Sequence, residues 1–333
     1  MRFPLPLYTD MVRHWLVNRW KGNSRYPLVL MLEPTHQCNL NCTGCGRIRE
    51  YRQSLDRSLS LEECLKSVEE AGAPVVTITG GEPFLYPHLR DLVRGVLKER
   101  RHIYLCTNGT LLPERLDSLD PHVRLSLNVH VDGYGPVHDR IMGRNGVFET
   151  VLEGIRYAKK RGFRVTTNTT VYKHTDPLNL KRLFQVLTVL DVNGILLSPA
   201  FDYESVGEDL FLNRKETIRK FREIAPLFAG YKLISTPVYL EFLQGRRSLH
   251  CTPWGNPTRN PMGWKSPCYL ITDRHYDSFR ELMERTDWER FAAGKDPRCR
   301  NCMVHCGFEP SVVQGAGSNL RDLWLMLRWN FNV

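Results

Sequence analysis

THQCNLNCTGCGR, residues 35–47, follows the apolar run YPLVLML (26–32) and sets Cys38, Cys42 and Cys45 in a Cys-x3-Cys-x2-Cys array. Three thiolates on one short loop can hold three irons of a four-iron cluster. The fourth iron then lacks a protein ligand and is open to a substrate or cofactor. A structural zinc site wants four ligands. His36 could supply the fourth, so the loop alone leaves zinc open. Three buried apolar thiols would be the ordinary alternative, but Asn39, Asn41 and Thr43 make these surroundings polar.

Working outward, strand-like runs alternate with helix-like ones. The strands read as 28–32, 75–79, 102–107, 123–131, 164–172 and 194–199, with helices at 61–72, 88–100, 147–162 and 178–190. Strands separated by crossover helices fit a parallel sheet with right-handed connections. In such folds chemistry gathers beyond the C-terminal strand ends. The cysteine loop, GGEP (80–83), TNG (107–109), VDG (131–133) and SPAF (198–201) all stand there.

After about residue 205 the composition changes. A helical stretch, NRKETIRKFREIAPLF (213–228), gives way to a Pro- and Gly-rich segment, HCTPWGNPTRNPMGWKSPC (250–268). A helix over SFRELMERTDWERFAA (278–293) and the cluster CRNCMVHCG (299–307) follow. This reads as a second, smaller unit over 206–333, behind a core at 27–205 and an N-terminal amphipathic helix at 1–26.

The chain has 333 residues and a formal charge of +10. That length allows one large domain with an appendage. No run approaches the ~18 apolar residues of a membrane span, and the start lacks the pattern of a signal peptide. A cytoplasmic setting is expected, where ten cysteines suggest metal rather than disulfides. The basic balance favours an anionic partner or scattered solvated charge. No nucleic-acid motif is present, so nucleic acid is not expected.

The cysteine loop, TITGGEPFLYP (77–87) and YLCTNG (104–109), in that order, resemble the radical S-adenosylmethionine (SAM) superfamily. The resemblance implies α/β architecture, a partial (β/α)6 TIM-like barrel with a smaller C-terminal Cys-rich domain. It implies a [4Fe-4S] cluster on Cys38, Cys42 and Cys45, with the open iron chelated by the amino and carboxylate groups of SAM. Gly80, Gly81 and Glu82 would meet that amino group. Asn108, His130, Asp132, Asn168 and Ser198 are the further SAM-contact candidates at strand ends. The chemistry implied is one-electron cleavage of SAM to a 5′-deoxyadenosyl radical, fed by a low-potential donor such as flavodoxin or ferredoxin.

Cys251, Cys268, Cys299, Cys302 and Cys306 resemble the SPASM and twitch extensions that hold an auxiliary iron–sulfur cluster. Five thiols exceed the four one cluster needs, and a structural zinc site is the alternative.

YPLVLMLEP, AGAPVV, YLCTN, HCTPWGNPTRN, PCYL, TDW and CMVHCG together resemble the adenosylhopene transferases of bacterial hopanoid synthesis. TNG in place of an expected TNA, and the segment VYKHTDP, depart from that pattern. The resemblance implies addition of the adenosyl radical to the alkene of diploptene, giving adenosylhopane. Addition leaves a tertiary carbon radical that needs a hydrogen atom. Period-two alternation puts Tyr104, Cys106 and Asn108 on one strand face, which makes Cys106 the candidate donor; a small core residue is the ordinary reading. The implied substrate, an apolar polycyclic isoprenoid, lives in membrane. TDMVRHWLVNRW (9–20) and LRDLWLMLRW (320–329) mix Trp, Leu and Arg as interfacial helices do. Both are expected to pack most of their apolar faces on the barrel, with tips reaching the inner membrane face. A peptide-modifying enzyme with an auxiliary cluster is the alternative function.

Overall fold

A computed structural model describes residues 1–207, 209–292, 294–315 and 319–331. Six parallel strands form the frame: β1 (Val29–Thr35), β2 (Val75–Gly80), β3 (His102–Thr107), β4 (Leu125–His130), β5 (Arg164–Val171) and β6 (Gly194–Pro199). Most of their residues are buried, on both faces. Leu30, Leu32, Ile78, Leu105, Leu127, Val165 and Leu197 are shut from solvent in one core with helix residues Leu92, Val151 and Leu183. That burial is what holds the crossover helices against the outer face. Helix Leu61–Ala71 starts at a capping box between Ser60 and Glu63, and helix Pro177–Val189 at an Asp176 cap, so the loops end where the sequence supplies a cap. The opposite, inner face carries Glu33, Thr77, Cys106, Asn128, Thr166 and Asn168, and lines the lumen of the partial barrel.

The sheet does not stop at β6. Its order is β6-β5-β4-β3-β2-β1 and then three strands from the cysteine-rich region: β7 (Thr258–Asn260), β8 (Gly263–Pro267) and β9 (Thr272–Tyr276). β7 runs parallel to β1, pairing Met31 with Thr258, and β8 and β9 add antiparallel. The C-terminal region therefore covers the β1 edge, which would otherwise present unpaired backbone groups.

The helix expected over 278–293 is broken. It forms Phe279–Arg285 and Trp288–Ala292, with Thr286 extended at ψ 130 between them. The break lets Thr286 Oγ1 reach Ser266 Oγ at 3.0 Å and lets Trp288 bury. Ala293 lies outside the described residues. No helix among the described residues is long and apolar enough to cross a membrane.

Candidate active site and cysteine-lined cavity

The cysteine loop leaves β1 and ends in the short helix Gly46–Glu50, for which Cys45 is the N-cap residue. Cys38, Cys42 and Cys45 are all half-buried and close together: Cys45 raises the pKa of both Cys38 and Cys42, and Cys38 that of Cys42. Burial, the largest effect, pushes Cys38 up to about 11 and Cys42 higher still. Arg49 Nη1 donates to Cys45 O at 2.8 Å and Cys42 O at 3.2 Å, which fixes the turn carrying two of the thiols.

The GGEP loop lies directly on this turn. A Cβ on Gly81 would stand 1.9 Å from Gln37 O, so only glycine permits the approach. Gly81 N donates to Thr35 O and Glu82 N to Gln37 O. Glu82 is buried and ties GGEP to the end of β3: it accepts from Thr107 Oγ1 (2.8 Å), Asn108 N (2.8 Å) and Phe84 N (3.2 Å). Burial raises its pKa to about 7 against the pull of those donors. Asn108 in turn donates to Asn39 Oδ1 at 2.8 Å and accepts from Thr110 Oγ1 at 2.6 Å, closing the ring of loops around the thiols. Asn39, the polar residue directly after Cys38, thereby takes part in the site.

His130, Asp132 and Asn168 meet at the ends of β4 and β5. His130 Nε2 is 2.7 Å from Asp132 Oδ2, and Asp132 Oδ1 accepts from Thr170 N at 2.7 Å. Burial works against the charged imidazole, but Asp132 outweighs it and raises the His130 pKa. Asp132 is itself closed off at 2% exposure. Its carboxylate is spent on His130, Thr170 and Tyr172, which makes it an orienting group for His130 instead of an open contact. Asn168 Oδ1 is buried with no hydrogen-bond partner among the described residues. Ser198 is buried too, and its hydroxyl turns to the C-terminal elements, 3.4 Å from Tyr239 Oη and 3.4 Å from His305 N.

Cys106 points into the lumen from the C-terminal end of β3, one residue before Thr107. Asn128 Nδ2 donates to its sulfur at 3.5 Å. Burial pushes its pKa up to about 11, so the thiol keeps its proton at neutral pH.

Cys251, Cys268, Cys299, Cys302 and Cys306 line one cavity of about 340 Å³, with Phe201, Tyr269 and Phe308 among its walls. Gly307 packs so closely that a Cβ would sit 2.4 Å from Cys251 Sγ. Burial raises every one of the five thiols. A buried charged network joins the two cysteine sets. Arg47, two residues after Cys45, meets Glu33 of β1 at 2.8 Å and hydrogen-bonds Tyr269 O, next to Cys268. Lys265 Nζ lies 2.9 Å from the same oxygen and 3.4 Å from Glu50 Oε2. Glu33 carried the one readable signal of this network, a carboxylate inside an apolar strand, which must be paired if buried.

Residues 32–185 match the radical SAM superfamily. They are a radical SAM domain. Residues 195–326 match a domain of unknown function, DUF3463. The chain is 27% identical over 278 residues to the antilisterial bacteriocin subtilosin biosynthesis protein AlbA of Bacillus subtilis, covering 78% of this chain and 58% of AlbA. The fold resembles Streptococcus suis SuiB bound to precursor peptide SuiA (TM-score 0.66, 12% identity, 91% of this chain and 76% of that one). It also resembles anSMEcpe with bound AdoMet (TM-score 0.61, 17% identity, 92% and 98%). The chain spans about half the length of the curated relatives it matches.

The radical SAM domain implies a four-iron cluster and SAM, and the residues fit both. Three thiols on one loop suit three of four irons. The orphaned Asn168 oxygen offers an acceptor to a polar guest, and the Gly81 approach seats GGEP against the cysteine loop. Among the described residues no three Cys, His, Asp or Glu converge tightly enough to grip one ion. A cube of iron and sulfur takes its thiolates at separate corners and does not require them to converge.

Proposed function

We propose that this chain is a radical SAM enzyme whose substrate radical is formed in the barrel lumen and quenched there by Cys106. When bound, the cluster and SAM supply a 5′-deoxyadenosyl radical. Cys38, Cys42 and Cys45 hold the cluster, and Gly80, Gly81, Asn108, His130 and Asn168 line the SAM side of the lumen. Glu82 and Asp132 hold those groups in place. Cys251, Cys268, Cys299, Cys302 and Cys306 supply the thiols for an auxiliary cluster, with zinc the other occupant weighed.

The observation that carries the reading is the position of Cys106, on the inner face of β3 beside Asn128 and outside both cysteine sets. The Cys106 S–H bond breaks, hydrogen passes to a carbon radical, and a sulfur radical remains. A one-electron donor of flavodoxin or ferredoxin class, with a proton, restores the thiol.

That requirement fits addition of the adenosyl group to the alkene of a hopene such as diploptene, in line with the resemblance carried by motifs such as HCTPWGNPTRN and CMVHCG. Addition leaves a carbon radical and no hydrogen of its own to return. Incubating reduced, cluster-reconstituted protein with SAM and diploptene should give an adenosyl adduct by mass spectrometry. Release of 5′-deoxyadenosine with no adduct would sink this substrate.

A second reading, peptide modification, draws on the similarity to AlbA, which extends over most of this chain. The Thr and Asn side chains of the lumen suit amide groups as well. Transfer of label from a deuterated precursor peptide into 5′-deoxyadenosine would favour it.

A further inference from the structure

The first and last helices carry apolar stripes that nothing in the described residues covers. On Leu5–Trp20, the residues Leu5, Val12, Leu16 and Trp20 fall on one outward face, with Trp20 86% exposed. On Leu320–Phe331, the residues Leu320, Leu323, Trp324 and Phe331 do the same, with Leu320 84% exposed. Both helices do pack part of their apolar surface, with Leu7 buried and Leu325 and Met326 against the core, while these stripes stay open. The two helices meet at their ends. Phe3 packs edge-on against Trp329 at 5.5 Å, Tyr8 against Phe331 at 5.7 Å, and Arg2 N donates to Asn330 O at 3.0 Å.

The charges are sorted by face. Each helix has a single acidic residue, and each points inward. Asp10 pairs with His102 and Arg124 of the barrel base. Asp322 pairs with Arg247. Outward stand Arg13 and Arg19 on the first helix, Lys21 at its C-cap and Arg321 on the last, all exposed. Arg328 lies over the Trp324 ring at 5.3 Å.

From this we infer that the paired helices dock on an anionic lipid surface. Exposed tryptophans beside arginines are what an interfacial helix needs: rings that sit at headgroup depth and cations that pair with phosphate. A second copy of the chain fits poorly. A two-fold contact through this face would set basic residues against basic residues. No helix among the described residues is able to span, so the contact inferred is one of the protein lying on the bilayer.

The test is flotation of the purified chain with phosphatidylcholine vesicles, with and without phosphatidylglycerol. The parent should float only when phosphatidylglycerol is present. Arg13→Gln and Arg321→Gln should each weaken that binding about fivefold. The double variant Trp20→Ser/Trp324→Ser should stay in the soluble fraction. All these side chains are exposed, so denaturation midpoints should match the parent's and keep the comparison clean. Failure to float with phosphatidylglycerol, or floating unchanged in every variant, overturns the inference. So does sedimentation that shows a dimer abolished by the Trp20→Ser/Trp324→Ser change, which would mean that a second copy covers the face.

Discussion

Arg47 Nε stands 2.8 Å from Glu33 Oε1, in a pair nearly closed to solvent that straddles the cysteine loop and β1. Burial alone would lower the Arg47 pKa, but Glu33 holds it charged and well above the usual value. The guanidinium also stacks 4.2 Å from the centre of the Tyr269 ring. One residue thus ties the first cysteine set, the barrel wall and the second set together. Arg47→Met leaves Glu33 buried without its cation. Loss of about 3–5 kcal/mol is expected in urea denaturation, as for other broken buried pairs. The double change Glu33→Leu/Arg47→Met should recover part of that loss; a double variant less stable than Arg47→Met would refute the pair as the cause.

Gly81→Ala puts a methyl group 1.9 Å from the Gln37 carbonyl, in the turn that carries the first thiols. Backbone cannot step aside as a flexible side chain can. The variant should keep iron on the C-terminal cysteines and lose it from the first set, so iron per chain should fall by roughly half if both sets hold four-iron clusters. Parental iron content would show that the loop tolerates the shift.

How much of this was readable beforehand differs by region. The six barrel strands follow from apolar alternation broken by turn residues, and β3 and β6 start and stop where the pattern says. The cysteine loop, GGEP and TNG were placed at strand ends for the same reason. β7–β9 were not legible. They are three to five residues long, and β8 (GWKSP) buries every residue, including Lys265, so no period-two signal survives. Partners were harder still. Asp132 and Ser198 look like open polar groups at strand ends. The groups that occupy them, Thr170 and Tyr172 for one and Tyr239 and His305 for the other, lie far away in sequence or in elements with no pattern of their own.

His138 gives a pH test. Its Nδ1 accepts from Asp132 N at 3.2 Å, and its buried Nε2 has no partner among the described residues. Burial lowers its pKa to about 4 from the 6.5 of a free imidazole. Between those values the unfolded chain takes up a proton that the folded chain refuses. Stability should therefore fall as pH drops from about 6.5 towards 4, by roughly 2–3 kcal/mol from this group. Glu82 and Glu309, both raised to about 7 by burial, act with the opposite sign, so the comparison must be with a variant. His138→Asn keeps an acceptor and cannot charge. Its stability loss between pH 7 and pH 4 should be smaller than the parent's; equal losses would assign the acid sensitivity elsewhere.

The five thiols around the second cavity predict a second metal site. Replacing Cys268 and Cys302 together by Ala should remove metal from this set and leave the first set loaded. Iron beyond one four-iron cluster, lost in the double variant, supports an auxiliary cluster. About four irons with stoichiometric zinc would support the zinc alternative.

Cys106→Ala separates the start of the reaction from its end. Cys106 lies outside both ligand sets, and its neighbours Asn128 and Glu82 keep other bonds without it: Thr166 Oγ1 still donates to Asn128, and Thr107 to Glu82. The cost in stability should stay below the ~2–5 kcal/mol of a large-to-small core change. SAM binding and cleavage should persist, since the thiols that would hold the cluster are untouched. The substrate radical then has no hydrogen donor. It should lose a hydrogen atom to form an alkene, revert, or be quenched from the wrong source, so saturated product should fall far more than SAM cleavage, read as methionine release. Cys106→Ser should not rescue, because an O–H bond is too strong to give up its hydrogen atom to carbon. If saturated product forms at the parent rate, the donor is another group. If product and SAM cleavage fall together, Cys106 shapes the lumen and the donor assignment fails.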